Sequence, residues 1–432
     1  MISAAIGLTV IMVFLLMGMP VSLTFVMMGI IGMSSLVGFN ATASSLGTSY
    51  IAFMGRFLFS AMPMFFFMGQ LGYNSGLMTD LFEAGRAWLG RLRGGLALTV
   101  VAVCAAYGTC TSLAVASCLV VGRAAMPAMK KAGYSDSLSA GVVAGASTLS
   151  NIIPPCGGVI SYALLTGESI GKLLLACWFP GLLAAVVYAI LVAIWARNAP
   201  MDTVTYTWGQ KLRSTKYVAI VVITVFALMG GLYFGWTTAT EAGAIGAMVT
   251  FLVAVAARKM NRHILWRSIR ATIVNMGALQ IIIVGGNFFS QFLAMAGFNR
   301  EVENLILAVH APRVVVFLAM ALILLLIGGP LDVGSMNVIC IPIMYPIIVT
   351  ALGYDSVWFA IVYIFFTIIA NLTPPYAVTL FAVQTVAPDI PMGTITKGAS
   401  IFILADLVMI VLLYMFPQIA LWLPNTMAGT GG

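Results

Sequence analysis

The chain has 432 residues, of which 62% are hydrophobic and 7% charged, with a formal net charge of +8 at pH 7 and a mean hydropathy of +1.09. A water-facing domain carries roughly 25% charged residues, so lipid is the solvent for most of this chain. Apolar runs of about 20 residues, the length that crosses a bilayer core as a helix, recur without the alternation of a β-barrel, and the aromatics lie inside these runs, which excludes nucleic acid as a partner.

Taken in chain order, residues 2–18 and 21–38 read as two spans broken at Met19-Pro20. The first has no positive n-region and no convincing cleavage site, so it is expected to stay as a membrane helix. A third span falls within 48–78, with Pro63 inside it. Residues 79–93, "TDLFEAGRAWLGRLR", predict an amphipathic interfacial helix with its arginines at the headgroups. Residues 94–129 hold one charge, Arg123, and are too long for a single crossing; a polar middle at 107–112, "YGTCTS", predicts either a helical hairpin with its tip inside the membrane or two full crossings. Residues 136–166 are interrupted by "SNIIPPCG" at 150–157. A span at 172–196 leads to a polar loop from Arg197 to Lys216.

Spans at 217–235 and 242–257 follow, and Thr238-x-x-Glu241 reads as a capping box that opens the second of them. A basic cluster comes next: Arg258, Lys259, Arg262, Arg267 and Arg270. Two crossings separate it from the Arg197–Lys216 loop, so both lie on one side, the cytoplasmic side by the positive-inside rule. After a span at 271–297 comes a second long apolar stretch, 314–350, with "GGPLDVGS" at 328–335 in its middle. Residues 356–387 are broken by "ANLTPPYA" at 370–377, and 398–424 form the last span.

The two interruptions stand 220 positions apart, and the offset holds elsewhere without a gap. Gly108 maps to Gly328, Gly133-Tyr134 to Gly353-Tyr354, Asn151 to Asn371, and Pro154-Pro155 to Pro374-Pro375. The base of the first hairpin carries Arg86, Arg91, Arg93, Lys130 and Lys131 against Asp80, Glu83 and Asp136; the second carries Arg300 and Arg313 against Glu301, Glu303 and Asp355. The first is net basic and the second net acidic, so they enter from opposite sides. The expected fold is therefore an all-α polytopic membrane protein with an inverted-topology repeat, two re-entrant helical hairpins and two broken transmembrane helices, the architecture of secondary transporters.

A proline removes a backbone donor and frees carbonyls in the preceding turn. Unwound backbone at membrane depth is tolerated only where it lines a cavity or is buried in protein. Freed carbonyls and an Asn amide oxygen are hard ligands suited to Na⁺, and the N-termini of half-helices favour an anion. Asp332, an acid at expected mid-membrane depth, is a functional candidate and equally an N-cap for the second hairpin arm. Arg123 is open to two readings, a contact for substrate anions or a snorkelling arginine. The six cysteines form no C-x-x-C pair and read as free thiols; His263 and His310 are isolated. Neither a transition-metal site nor a nucleotide loop is supported, no cofactor is expected beyond Na⁺ as coupling ion, and no catalytic constellation marks an enzyme.

Several stretches resemble the large membrane subunit of tripartite ATP-independent periplasmic (TRAP) transporters: "PMFFFMGQLGYNSGL" (63–77), "LRGGLALT" (92–99), "GYSDSLSAGVVAGASTLSNIIPP" (133–155), "GESIGKLLLACWFPGLL" (167–183), "TATEAGAIGA" (238–247), "GYDSVWFAIVYIFFTIIANLTPPYAVTLF" (353–381) and "FPQIALWLP" (416–424). The resemblance covers nearly the whole chain. It implies a Na⁺-driven elevator-type importer of a small organic anion in the bacterial inner membrane, working with a small four-helix membrane subunit and a periplasmic substrate-binding protein. A stand-alone Na⁺/anion carrier of related architecture is the alternative. It further implies scaffold helices at 1–78 and 201–297 around transport repeats at 79–200 and 298–432. One sodium site would use Thr109, Thr111 and Ser112 at the first tip with Ser150, Asn151 and Pro154. The other would use Gly328, Gly329 and Asp332 with Asn371, Thr373 and Pro374. Substrate would lie between the tips, near Cys110, Ser112, Asn151, Pro155, Cys156, Gly157, Asn371, Pro375 and Tyr376. The chain departs from the family at the first tip, where Cys110 replaces a glycine of a Ser-Gly-Ser-Ser-like motif, and after both proline pairs.

Overall fold

The computed structural model describes residues 6–427 apart from 8, 12, 15–16, 56, 110–112, 203, 299–300, 302–311, 329–330, 332 and 375–376. Among the described residues every regular element is helical, and six helices are long and apolar enough to cross a membrane.

The N-terminal part differs from the expected single span at 48–78. Helix α1 (Val21–Val37) is followed by α2 (Phe39–Met54), a 3-10 turn (Phe57–Ser60) and α3 (Ala61–Asn74). Pro63 sits in the first turn of α3, where its missing N–H has no intrahelical acceptor to lose. The predicted interfacial helix forms as α4 (Leu77–Leu89). Its Arg86 does not reach for headgroups: it forks onto Asp202 at 2.5 and 3.0 Å, which ties the helix to the connection before Trp208, where the expected loop to Lys216 gives way to helix.

Residues 94–129 form the hairpin and not two crossings: α5 (Gly95–Gly108) and α6 (Ala114–Lys131) pack against each other. The first broken helix is α7 (Asp136–Ser147), a 3-10 turn (Thr148–Asn151) and α8 (Gly157–Thr166), followed by the full span α9 (Ile170–Trp195). Three long helices come next, α10 (Trp208–Tyr233), α11 (Ala239–Ala256) and α12 (Arg262–Met295). The capping box that opens α11 is complete, with Thr238 and Glu241 bonding each other's backbone N–H.

The second half repeats the first. The hairpin arms are α13 (Arg313–Gly328) and α14 (Val333–Tyr345), the latter extended by a π-turn (Pro346–Ala351). The broken helix is α15 (Ser356–Leu372) and α16 (Val378–Val386), and the full span is α17 (Met392–Met415), followed by a short α18 (Gln418–Asn425). The 220-residue offset places each of these on its counterpart to within a few residues at either end. The Gly-Tyr pairs of the repeat now have a reason. Gly133 and Gly353 take φ of +84° and +72° where each hairpin turns into its broken helix, a region that costs glycine nothing.

The inversion is visible in the contacts. Lys130, at the base of the first hairpin, pairs with Asp389, at the end of the second broken helix. Tyr162, near the end of the first broken helix, donates to the Ser356 carbonyl at 3.0 Å and stacks edge-on against Tyr345, both at the base of the second hairpin. Each broken helix therefore starts at its own hairpin's base and ends at the other's, and the hairpins enter from opposite faces. Lys259 pairs with Asp80 at 2.5 Å, so the basic cluster after α11, the connection between α9 and α10 and the base of the first hairpin share one face.

Candidate transport site

Both interruptions are stabilised the same way. Ser147 donates to the Ala144 carbonyl at 2.8 Å, and Thr367, its mate 220 residues on, donates to the Ile364 carbonyl at 2.7 Å. Thr148 bonds the Gly145 carbonyl at 2.6 Å and Thr373 the Ile369 carbonyl at 2.7 Å. Hydroxyls thus satisfy carbonyls where the helix ends inside the protein.

Past the breaks, the two halves interlock. Asn337 of α14 donates to the Gly158 carbonyl at 2.6 Å and to Ser161 Oγ at 2.5 Å, both on α8. At the mirror-related pair of helices, one residue out of register with that contact, Cys118 of α6 lies 3.9 Å from the Thr379 carbonyl of α16. The second arm of each hairpin is held by the half-helix that follows the other half's break.

This exchange brings four helix N-termini to one cavity of about 70 Å³. Ala114 and Val115 open α6, Gly157 and Gly158 open α8, Val333 and Gly334 open α14, and Val378 and Thr379 open α16; all line it. Asn151 and Asn371 line it together, each 4% exposed. Phe66 of α3 and Leu279 of α12 close it from the side. Six helices that start elsewhere are capped by side chains, at Ser135, Ser169, Thr207, Thr238, Asn261 and Asp355. At the cavity the cap positions of α6, α8 and α16 are Leu113, Cys156 and Ala377, and none provides a side-chain cap. Partial positive charge from several helix ends is therefore directed into one small space, which suits an anion.

Two further polar groups await a partner. Asn151 Nδ2 and Asn371 Oδ1 are buried with no hydrogen bond, and an Asn amide turned about its last bond offers either donor or acceptor. Ser150 Oγ is likewise buried and unbonded, beside the end of the first hairpin arm at Gly108. These are oxygen donors of the kind that hard cations take.

Of the residues expected at the site, Asn151, Gly157 and Asn371 line this cavity. Thr109 and Gly328 end the first arms of the two hairpins. Cys156 does not line it: its sulfur lies 3.4 Å from that of Cys177. Ser150, Pro154, Pro155, Thr373 and Pro374 lie in the breaks beside it, outside its lining. Cys110, Thr111, Ser112, Gly329, Asp332, Pro375 and Tyr376 lie outside the described residues. The described cysteines are free and buried, and no described group of His, Cys, Asp and Glu suits a transition metal.

Sequence reading missed Asn337 and Asp406. Asp406, on α17, is fully buried and accepts from Tyr188 Oη at 2.6 Å, whose oxygen is 3.4 Å from Thr148 Oγ1 at the first break. An acid inside an apolar run was the available signal; its partner, 218 residues away, was not.

The chain matches the model of the tripartite ATP-independent periplasmic transporter DctM component over residues 8–419. It belongs to that family. The permease is 27% identical over 411 residues to the C4-dicarboxylate TRAP transporter large permease DctM of Vibrio cholerae, covering 90% of each chain. It is 24% identical to the sialic acid TRAP transporter large permease SiaM of Vibrio cholerae, over 96% of each chain. It is also 27% identical to the ectoine TRAP transporter large permease TeaC of Halomonas elongata, over 95% of this chain and 96% of that one. Among solved structures it resembles the YdaH transporter of Alcanivorax borkumensis, described as having an unusual topology, with a TM-score of 0.62 at 14% identity over 89% of this chain and 90% of that one. The protein is thus a multi-pass inner-membrane TRAP transporter large permease, not an enzyme.

Proposed function

We propose that the permease imports a small organic anion by Na⁺-coupled secondary transport with an elevator movement. Its substrate comes from a periplasmic binding protein, and it works beside a small four-helix membrane subunit. The observation that carries this reading is the single cavity where Asn151, Asn371 and four helix N-termini converge. Dicarboxylates, sialic acid and ectoine, the molecules for which its relatives are named, all bear a carboxylate. Among the described residues, no cationic side chain lines the cavity. Bound Na⁺ would add positive charge there, held by the oxygens of Asn371, Asn151 and Ser150 and by carbonyls of the breaks.

The elevator rests on the division of contacts. The hairpins, broken helices, α9 and α17 pack mainly among themselves, whereas α1, α3, α11 and α12 pack as a second group that meets the first chiefly where α12 lies on α14. The cavity has walls from both, with Phe66 and Leu279 from the second, so a ligand held by the first group would be carried past a fixed wall.

Thermal unfolding in NaCl and in KCl at equal ionic strength tests the coupling. A ligand at about 100 times its dissociation constant stabilises the folded state by roughly 2.7 kcal/mol. The expected result is a Na⁺-specific rise that shrinks in Asn151→Ala and in Asn371→Ala. Identical curves in the two salts would remove sodium from the mechanism.

A further inference from the structure

The central cavity does not stand alone. Phe66, Leu113 and Val115 also line a second cavity of about 250 Å³, and Tyr73 joins that one to a third of about 390 Å³. The three run in line along three helices. On α6 the lining steps through Val115, Leu119 and Arg123, on α3 through Phe66, Gln70 and Asn74, and on α12 through Leu279, Asn275 and Arg267. Each step on α6 and α3 is four residues, just over one helical turn and about 6 Å along the axis. The lining changes from apolar to amide to guanidinium as it leaves the central cavity. It ends beside Thr79, next to the Asp80–Lys259 pair, on the face that holds the basic loops.

At this mouth two arginines from separate helix groups face one space. Asn74 Nδ2 donates to Ser268 Oγ at 3.1 Å, and Ser268 Oγ, which has the Ile264 carbonyl at 2.9 Å on its own helix, also lies 3.2 Å from the Gln70 carbonyl. That bolts α12 to α3 and sets Arg267 against Asn74. Arg123 faces it from the hairpin. Neither arginine pairs with a described carboxylate, whereas the nearby Arg86, Lys130 and Lys259 all do, and Asp80, the acid beside the lining, is held by Lys259. Two unneutralised guanidiniums at the wide mouth of a cleft that narrows inward attract anions to it and offer planar donor pairs that match a carboxylate.

We propose that Arg123 and Arg267 form a second anion site, a vestibule where the carboxylate of the transported substrate rests between the central cavity and the basic face of the protein. This rests on the organic-anion reading above. Because the two arginines belong to different helix groups, the site is complete only while the hairpin stands in the position seen here. It would then serve as the last stop before release, since the basic face is the cytoplasmic one by the positive-inside rule.

The test is protection from an arginine reagent. The full chain in phosphatidylcholine nanodiscs is modified with phenylglyoxal, in KCl, with succinate as the carboxylate probe, and each arginine is followed by peptide mapping. At a succinate concentration about ten times its dissociation constant, modification of Arg123 and Arg267 should slow together by about tenfold, while Arg91 and Arg93 are unaffected. Arg123→Gln should abolish protection at Arg267, and Arg267→Gln should do the same at Arg123. Both side chains are exposed, so each variant should keep the wild-type unfolding midpoint. Asn151→Ala should leave the protection intact. The proposal is overturned if succinate protects neither arginine, if each is protected without the other, or if only anionic phosphatidylglycerol in the nanodisc protects them. Because the assay contains no Na⁺, its outcome is separate from that of the sodium experiment.

Discussion

The two broken helices share a sequence pattern and differ in what surrounds them. At the first, residues 148–156 are all buried. Thr148 leans on Tyr188 and Asp406, and Cys156 on Cys177. At the second, Pro374 is exposed and Thr373 half-buried. The offset turns Thr148, Tyr188 and Asp406 into Ile368, Val408 and Val186. Val408 and Val186 are 46% and 53% exposed, facing out where lipid would be. A polar network thus braces one break, and among the described residues nothing equivalent braces the other. Internal symmetry set two matching chain paths, but one is clamped in the interior and the other is open beside the cavity. We read the first break as the rigid wall of the site and the second as its adaptable one.

The largest expected effect comes from the packing behind the first break. A side chain added at Gly141 would meet Gly398 Cα at 2.6 Å, so α7 and α17 touch through their backbones, as small residues allow in membrane bundles. The mirror positions are Ile361 and Trp178, and the corresponding helices, α15 and α9, pack less extensively on each other. Gly141→Leu should cost about 3 kcal/mol, visible as a large fall in the thermal midpoint or a loss of folded protein. A wild-type midpoint would mean that the first break is no more tightly held than the second.

The bracing network itself comes next. Tyr188→Phe leaves the buried Asp406 carboxyl without its donor, a loss of about 1–3 kcal/mol. Asp406→Asn retains an acceptor for Tyr188 and should cost less. Val186→Ala and Val408→Ala, the mirror-related changes on exposed positions, should stay within about 0.5 kcal/mol. Equal midpoints across these four variants would erase the contrast between the breaks.

The smallest effect belongs to the exposed pair that ties the first hairpin to the end of the second broken helix. Lys130 holds the Asp389 carboxyl below its usual range. A depressed carboxylate contributes stability above its unfolded value, near pH 4, and loses it as pH falls through its folded value. Wild type should therefore exceed Asp389→Asn slightly at neutral pH, with the difference in midpoint vanishing in acid. The mirror positions, Thr350 and Ser169, carry no charge, so Ser169→Ala should show no such pH dependence.

Much of the architecture was legible in the chain. Proline pairs, a mid-span asparagine and glycine-containing hairpin tips act locally, by removing donors or permitting turns, so a constant offset between them was enough to expose the repeat. Charge at the hairpin bases showed the inversion because orientation depends on a few loop residues. Pro63 misled because a proline reads alike inside a helix and in its first turn, and Arg86 because its acid lies 116 residues away.

The sequence by itself thus determined the solvent, the helical class, the inverted repeat and the two asparagines. Only the tertiary structure decided that Asn151 and Asn371 share one cavity, that four helix ends meet there, that Asp406 sits behind the first break, and that Arg123 and Arg267 line one cleft. The physical reason is that these spans are hydrophobic on nearly all sides. A helix of that kind carries no strong apolar stripe to say which face turns inward. Its rotation is set by close packing at glycines such as Gly141 and Gly398, and by single polar contacts with helices hundreds of residues distant.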